Sequence, residues 1–431
     1  MKAIQITSTK DSYFVQEELR PCKQKSIDFV LDSAQKGQSM IGFGGAVTDA
    51  AISVYETMDA ATKKRFFNLV YGEQGLAYNL ARLTIGSCDF SASIYDYASK
   101  PDLSDFSLKH DQPIIDLVKE AQTERPFHVM ASCWSPLAQY KDNGDKSHGG
   151  HLKDDCYAAH ADYLAHYVHA MEKAGIPIEA MTIQNEPEAV QTWESCLFNE
   201  EQEARLAKLL HARVPEVALF AWDHNRDVLV RRITNTFKDP EAERAYSGIA
   251  YHWYDAGCSE EIRKVHALYP DKKILFSEGC VELLNLNHDH PEQAIGNFDA
   301  AIRYAENYLK DIKAGSQGFI DWNILLDLKG GPNHVGNYCE APLMYGNLGL
   351  RINPSYYAIK HFSQFVKEGA CFLDFPEVSQ ILGAGFANPD GSFVLVFLNK
   401  DIEKPISFSI ESQTYSCYIK GNSITSIVFR K

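Results

Sequence analysis

Eight short apolar or β-branched runs, amphipathic stretches between them, and loss of the helical period after about Glu368 together predict the fold. It is α/β: a (β/α)8 TIM barrel with an attached antiparallel β-sandwich formed by both termini. The runs span residues 40–46, 80–86, 127–133, 181–185, 218–222, 248–253, 273–277 and 318–325. Each ends in polar or small residues and leads into a helix-like stretch, such as 156–174, 200–212, 260–269 and 293–314. Strand–helix alternation implies parallel strands with helices outside, and eight units suit a closed ring; an open doubly wound sheet rarely needs so many.

The tail has another texture. Asn388-Pro389-Asp390-Gly391 is a turn signal before the alternating run 392–398, and 406–410, 415–419 and 424–429 read as further short strands. Residues 13–15 and 27–31 look like strands that no helix follows, so they are expected to pair with the tail. The resulting division is a catalytic barrel over 39–360 and a discontinuous β-sandwich over 1–38 plus 361–431. No internal repeat or low-complexity segment is visible.

A formal net charge of −15 argues against nucleic acid or an anionic membrane as partner, since both demand positive charge. A neutral carbohydrate or glycoside fits that balance. No run approaches the ~18 apolar residues of a membrane span, and the N-terminus shows no apolar signal segment. Ten scattered cysteines without a CxxC pair, and the lack of an Asn-x-Ser/Thr acceptor, lead to an expectation of free thiols and a cytoplasmic location. The same features are compatible with a secreted form whose leader has been removed. The oligomeric state is not legible.

Barrel enzymes collect their chemistry at the C-terminal ends of strands. There the sequence places Arg82 and Asp89, Trp134, Asn185 and Glu186, Trp222-Asp223-His224-Asn225, His252-Trp253-Tyr254, Glu278, and Asp321-Trp322-Asn323. Glu186 closes the fourth run and Glu278 the seventh, 92 positions later. With about 31 residues per unit that is close to three units, so the two carboxylates are expected to face one pocket from opposite sides. Two such carboxylates are what acid/base and nucleophilic attack on a glycosidic bond require. Taken singly, Glu186 before Pro187 reads as a helix start and Glu278 as a surface carboxylate; their joint placement favours chemistry. All five tryptophans fall in this set or, for Trp193, in the loop after the fourth run. Aromatic faces bind the C–H faces of sugars, while Asn, Asp, Arg and His bond hydroxyls.

Other motifs fail. Gly42-Phe43-Gly44-Gly45 lacks the spacing of a phosphate loop and reads as a tight turn near the pocket floor. His166 and His169 belong to an outer helix, no HExxH or GxSxG is present, and no metal or cofactor is expected.

Laid out in order, these residues resemble glycoside hydrolase family 30, in its glucosylceramidase-like branch. The matching blocks are Gly42-Phe-Gly-Gly-Ala-Val-Thr-Asp-Ala50, Ser87-Cys-Asp-Phe-Ser91, Gln184-Asn-Glu-Pro187, His252-Trp-Tyr254, Ser277-Glu-Gly-Cys280 and Asp321-Trp-Asn323. Gly330-Gly-Pro-Asn333 with Asn337, and Phe362-Ser-Gln-Phe365, complete them across nearly the whole chain. The resemblance implies a retaining β-glycosidase acting on β-D-glucosides, with Glu186 as acid/base and Glu278 as nucleophile. It implies that Asn185 holds the sugar 2-hydroxyl, and that Asp89, Trp134 and Trp322 line the subsite for the non-reducing sugar. Arg82, His252, Tyr254 and Asn337 would support carboxylates and substrate. Glu186 is expected to stay protonated in an apolar, tryptophan-rich surround, and Tyr254 and Arg82 to keep Glu278 charged. One departure concerns the leaving group: where the family often carries a second aromatic after Trp-Ser-Pro, this chain has Gln139. An endo-β-1,6-glucanase or β-xylosidase of the same family is the alternative; a non-catalytic carbohydrate-binding barrel and a metal-dependent hydrolase are remoter ones.

Overall fold

The computed structural model describes residues 1–23 and 26–430. Gln24, Lys25 and Lys431 belong to the expected side domain and lie outside the described residues. All eight expected runs are parallel strands of one closed barrel: Gly42–Ala46, Leu80–Ile85, His128–Cys133, Ala180–Thr182, Ala218–Asn225, Tyr246–His252, Lys273–Glu278 and Gly318–Asp321. The ring shuts where the last strand pairs with the first, Gly318 opposite Gly42 and Asp321 opposite Gly45. Strands buried on both faces, such as Gly318–Asp321, carry no polar alternation. That is why they read as continuous apolar runs.

Gly42-Phe43-Gly44-Gly45, expected as a tight turn, is the first barrel strand. A Cβ on Gly44 would lie 2.1 Å from the Leu80 carbonyl oxygen of the next strand. The glycine therefore serves close strand approach rather than a change of chain direction.

Between strands run the helices Tyr157–Lys173, Glu200–His211, Ser259–Leu268 and Phe298–Ala314, matching the amphipathic stretches to within a few residues. Glu200–His211 starts at a reciprocal cap, Asn199 bonding the Gln202 backbone and the Gln202 side chain returning to Asn199. Among the described residues no helix is long and apolar enough to cross a membrane.

Two irregularities position the site. Strand pairing slips between Trp222 and His224, and again between Phe276 and Glu278. An extra residue at such a bulge re-aims the side chains that follow. Asp223, Ser277 and Glu278 are all turned toward the barrel axis, where Ser277 Oγ donates to Asp223 Oδ1 at 2.6 Å.

Both termini build the side domain. A six-stranded sheet runs in the order Cys371–Leu373, Leu382–Ala387, Phe393–Asn399, Ser423–Arg430, Lys2–Thr9, Ser12–Leu19. A second sheet holds Gln413–Ile419, Lys404–Ile410 and Phe29–Leu31, the last paired in parallel rather than antiparallel. Lys2–Thr9 was not expected as a strand; it pairs with Ser423–Arg430 along its length. Between the sheets Phe29 stacks on Phe375 and Phe408 at 4.3 and 5.4 Å. The other face of the large sheet, with Val394, Val396 and Val428, joins the barrel's own core. Helix Pro354–Ser363 runs across the expected boundary at 360 and presses His361 onto that face, between the hydroxyls of Ser8 and Ser426.

At the N-terminal end of the barrel, His128 bridges Glu179 at 2.7 Å and Glu368, on the link to the sandwich, at 3.1 Å. Partial burial lowers its pKa, but these two partners outweigh burial and raise it. The stabilisation is therefore complete below the ordinary histidine value near about 6.5 and is lost as pH rises through the folded-state value. Because the site is open to solvent, His128→Asn is expected to destabilise by only about 1 kcal/mol. Urea unfolding at pH below and above that range should show the difference fading as pH rises.

Candidate active site

The ten residues expected at the site meet at the C-terminal end of the barrel. Asp89, Trp134, Asn185, Glu186, Tyr254, Glu278, Trp322 and Asn337 line a cleft of about 320 Å³, a size suited to one sugar and part of a second group. Arg82 and His252 lie fully buried beneath it.

Arg82 organises the floor. Its Nε donates to Ser132 Oγ at 3.0 Å, Nη1 to Glu278 Oε2 at 2.5 Å and to the Ser277 carbonyl at 3.3 Å, and Nη2 to Asn185 Oδ1 at 2.9 Å and Asp223 Oδ2 at 2.8 Å. All five guanidinium hydrogens are thus used. The same cation lies 4.8 Å from the Trp134 ring and 5.7 Å from that of Trp322, and the two indoles stack at 5.2 Å.

His252 joins the two glutamates. Its Nδ1 is 3.1 Å from Glu186 Oε1 and 3.9 Å from Glu278 Oε1, while Nε2 meets Asp223 Oδ1 at 3.0 Å. Glu278 also accepts from the Tyr254 hydroxyl at 3.0 Å. Every hydrogen bond that reaches Glu278 from Arg82 and Tyr254 serves its ionised form. Asn337 Nδ2 donates to Asp89 Oδ2 at 2.9 Å. The chain turns sharply to make this possible: Glu186, Trp222, Asp223 and Asn323 have φ of 49°, 79°, 62° and 70°. Such left-handed non-glycine residues persist where the surrounding packing over-determines them, as at functional sites.

Charges sort accordingly. Burial opposes ionisation of Asp223, but Arg82 and then His252 outweigh it and hold the carboxyl well below the usual range. Burial favours neutral His252, yet Glu278, Asp223 and Glu186 push its pKa up to about 9. Burial also raises Glu278, against the pull of His252 and Arg82. Burial and the Glu278 charge push Asp89 up to about 8, leaving it a neutral acid at pH 7.

Glu186 differs from expectation. Its surround is not apolar: His224 Nδ1 is 3.6 Å away and His252 3.1 Å, and together they overcome burial and hold its pKa below the ordinary value. The resting proton therefore sits on His252. Two tryptophans also differ. Trp222 turns outward, its Nε1 donating to the Asn225 carbonyl and its ring under Arg232. Trp253 packs on Phe276 and Tyr304. Only Trp134, Trp193 and Trp322 line the cleft. Gln139 is exposed and does not line it; its carbonyl accepts from Lys153.

Sequence reasoning did not single out Asp223 or His224, although both stood in the strand-five block. It passed over Gln191, Glu282 and Asn285 at the cleft mouth, which stand in a loop, the short strand Val281–Glu282 and the short helix Leu283–Leu286, none of them carrying a motif. Glu186, His224 and His252 bring three potential metal ligands within 4.8 Å of one another. His252 Nδ1 is already engaged by Glu186 and Nε2 by Asp223, so a metal there would have to displace the proton between His252 and Glu186. A second hollow of about 360 Å³ opens at the opposite end of the barrel, lined by Leu80, Met130, Phe220, Leu275 and Ile320. The two carboxylates on its rim, Glu179 and Glu368, are about half exposed and tied to His128, whereas Glu186 and Glu278 are largely buried, so the C-terminal cleft is the candidate for chemistry.

Asp223→Asn removes one of two anions facing Arg82. Leaving that buried cation under-compensated is expected to destabilise by about 3 kcal/mol or more in chemical denaturation. The His252 imidazole, followed by NMR, should fall from about 9 toward its ordinary value.

Comparison with known proteins agrees with this architecture. Residues 40–366 match the Glycosyl hydrolase family 30 TIM-barrel domain and residues 374–427 the family's beta sandwich domain. Lysosomal acid glucosylceramidase of Mus musculus is 30% identical over 409 residues, covering 88% of this chain and 78% of that protein. The crystal structure of SrfJ from Salmonella typhimurium is 34% identical with a TM-score of 0.93, covering both chains in full. The endo-beta1,6-glucanase BT3312 shares the fold, with a TM-score of 0.91 at 24% identity over the full length of both chains. With both domains matched in order and the barrel match covering most of its length, the chain belongs to glycosyl hydrolase family 30 and is a glycosidase.

Proposed function

We propose that this glycosidase is a retaining enzyme acting on β-D-glucosides, with Glu278 as nucleophile and Glu186 as acid/base. The observation that carries the reading is His252 Nδ1 lying 3.1 Å and 3.9 Å from the two carboxylates. Its two contacts hold Glu186 Oε1 and Glu278 Oε1 within about 7 Å of each other, which takes in the about 5–5.5 Å of a double displacement and excludes most of the wider inverting range.

The sugar rests on the Trp134–Trp322 pair. Asn185, whose Oδ1 is occupied by Arg82, has its amide hydrogens left to donate to the 2-hydroxyl. Neutral Asp89 supplies a hydroxyl donor beside Asn337. Substrate covering the cleft strips water from the Glu186–His252 ion pair, and a dry cleft favours the neutral pair. The proton crosses 3.1 Å to Glu186, which gives it to the leaving oxygen while Glu278 attacks the anomeric carbon. A covalent glycosyl-enzyme results. Glu186, ionised again, takes a proton from the incoming water, and the hydroxide releases the sugar with retained configuration.

The cleft mouth favours a second reading. Trp193 is framed there by Gln191, Asn225, Glu282 and Asn285, polar groups that suit a hydroxyl-rich leaving group such as a second sugar better than a lipid chain. This supports β-1,6-linked glucan as the alternative substrate.

Glu278→Gln and Glu186→Gln should each lower kcat/KM on aryl β-glucosides by at least about 10²-fold; near-normal turnover in either variant would overturn the assignment. Following the first-formed anomer by NMR on glucosides, xylosides and β-1,6-glucan decides stereochemistry and substrate together. Because the shared proton is held below a pKa of about 9, kcat/KM should decline as pH rises through that region. His252→Gln should move this alkaline limb to lower pH, whereas a purely structural role for His252 would leave its position unchanged.

A further inference from the structure

Cys280 and Cys339 are buried at 1% and 2% exposure, and their Sγ atoms lie 2.8 Å apart. Both thiols are free. A disulfide needs about 2.05 Å between sulfurs, so less than about 1 Å separates contact from bond. The two backbones are already coupled: Val281–Glu282 pairs antiparallel with Cys339–Glu340, Val281 opposite Glu340 and Glu282 opposite Cys339. Both cysteines border the cleft, the side from which a small oxidant would approach sulfurs otherwise sealed in the core.

Their neighbours give the pair consequences. Cys280 follows the nucleophile candidate by two residues, and its Sγ lies 3.5 Å from the Tyr254 hydroxyl that donates to Glu278. Cys339 follows Asn337 by two residues, and Asn337 holds Asp89. Neither sulfur touches the carboxylates of Glu186 or Glu278. A bond between them would pull the loop behind Glu278 toward the loop carrying Asn337 and draw Cys280 away from Tyr254.

We propose that Cys280 and Cys339 form a dithiol modification site in the cleft wall, closed to a disulfide by peroxide and reopened by thiols, and that closure suppresses turnover. In the forward direction the Cys280 thiolate attacks one peroxide oxygen and the O–O bond breaks. Hydroxide leaves and is protonated to water, and Cys280 becomes a sulfenic acid. The Cys339 sulfur then attacks the Cys280 sulfur, the S–O bond breaks, and the departing hydroxide takes the Cys339 proton as a second water. Two electrons pass from the two thiols to the peroxide. Burial raises the pKa of the Cys280 thiol, and contact with Cys280 followed by burial raises that of Cys339, so closure is slow at neutral pH and quickens as pH rises.

The test treats the purified full chain with hydrogen peroxide, then alkylates and maps it without reductant. The expected result is a Cys280–Cys339 linked peptide two hydrogens lighter than the free pair, with kcat/KM on an aryl β-glucoside down at least about tenfold and restored by dithiothreitol. Cys339→Ser and Cys339→Ala, each measured against its own untreated activity, should lose this reversible inhibition. The proposal is overturned if both cysteines are recovered alkylated after peroxide, if the link forms without change in turnover, or if both variants are inhibited as strongly as the parent. The linkage map reads the bond without reference to turnover. It therefore separates failure of this inference from failure of the β-glucosidase reading, on which only the activity readout rests.

Discussion

A single buried guanidinium, that of Arg82, governs the geometry of the cleft. A cation taken from water into a barrel interior is costly unless its partners are complete. Here the partners are two carboxylates, an amide oxygen, a hydroxyl and a backbone carbonyl, drawn from four other barrel strands or the loops just beyond them. The cost of leaving any of these bonds unmade is what locks Asn185, Asp223 and Glu278 in register. The tryptophan stack above the same cation closes the site toward the substrate.

That network also explains why the two glutamates differ. Glu278 receives Arg82 and Tyr254; Glu186 receives histidines. Asp223 is the intermediary, bonding Arg82 on one oxygen and His252 on the other, so it couples the charge under Glu278 to the proton beside Glu186. Glu186 and His252 thus form a unit sharing one proton rather than a lone carboxyl in an apolar pocket. The bulges at Trp222 and Phe276 make this possible, since a regular strand could not present Ser277 and Glu278 to the same side.

The side domain plays a different part. The inner strands of its large sheet, such as Phe393–Asn399, are buried on both faces, one in the domain's own core and one against the barrel's helices. The N-terminal strand Lys2–Thr9 lies between its hairpin partner Ser12–Leu19 and the last strand, Ser423–Arg430. His128, bridging the barrel to Glu368, adds an ionic tie at the far end, well away from the chemistry.

By itself the sequence determined the barrel, its eight strands and the ten residues that gather at one end of it. Apolar runs ending in Asn185-Glu186 or Ser277-Glu278 reflect local requirements, burial along a strand and a polar group at its end, and local requirements are written in consecutive residues. It also signalled the strands of the tail, where turn residues and alternation are equally local. Lys2–Thr9 was harder to see: its neighbour Ser12–Leu19 is a largely polar edge strand, and its other partner, Ser423–Arg430, lies more than four hundred residues away. Only the tertiary structure decided which way Trp222 and Trp253 point, that Glu186 sits among histidines, that Asp223 joins both halves of the site, and that Cys280 meets Cys339. Each of these depends on a bulge or on a contact between distant strands. A one-residue slip exchanges the two faces of a strand, and no run of neighbouring residues records it.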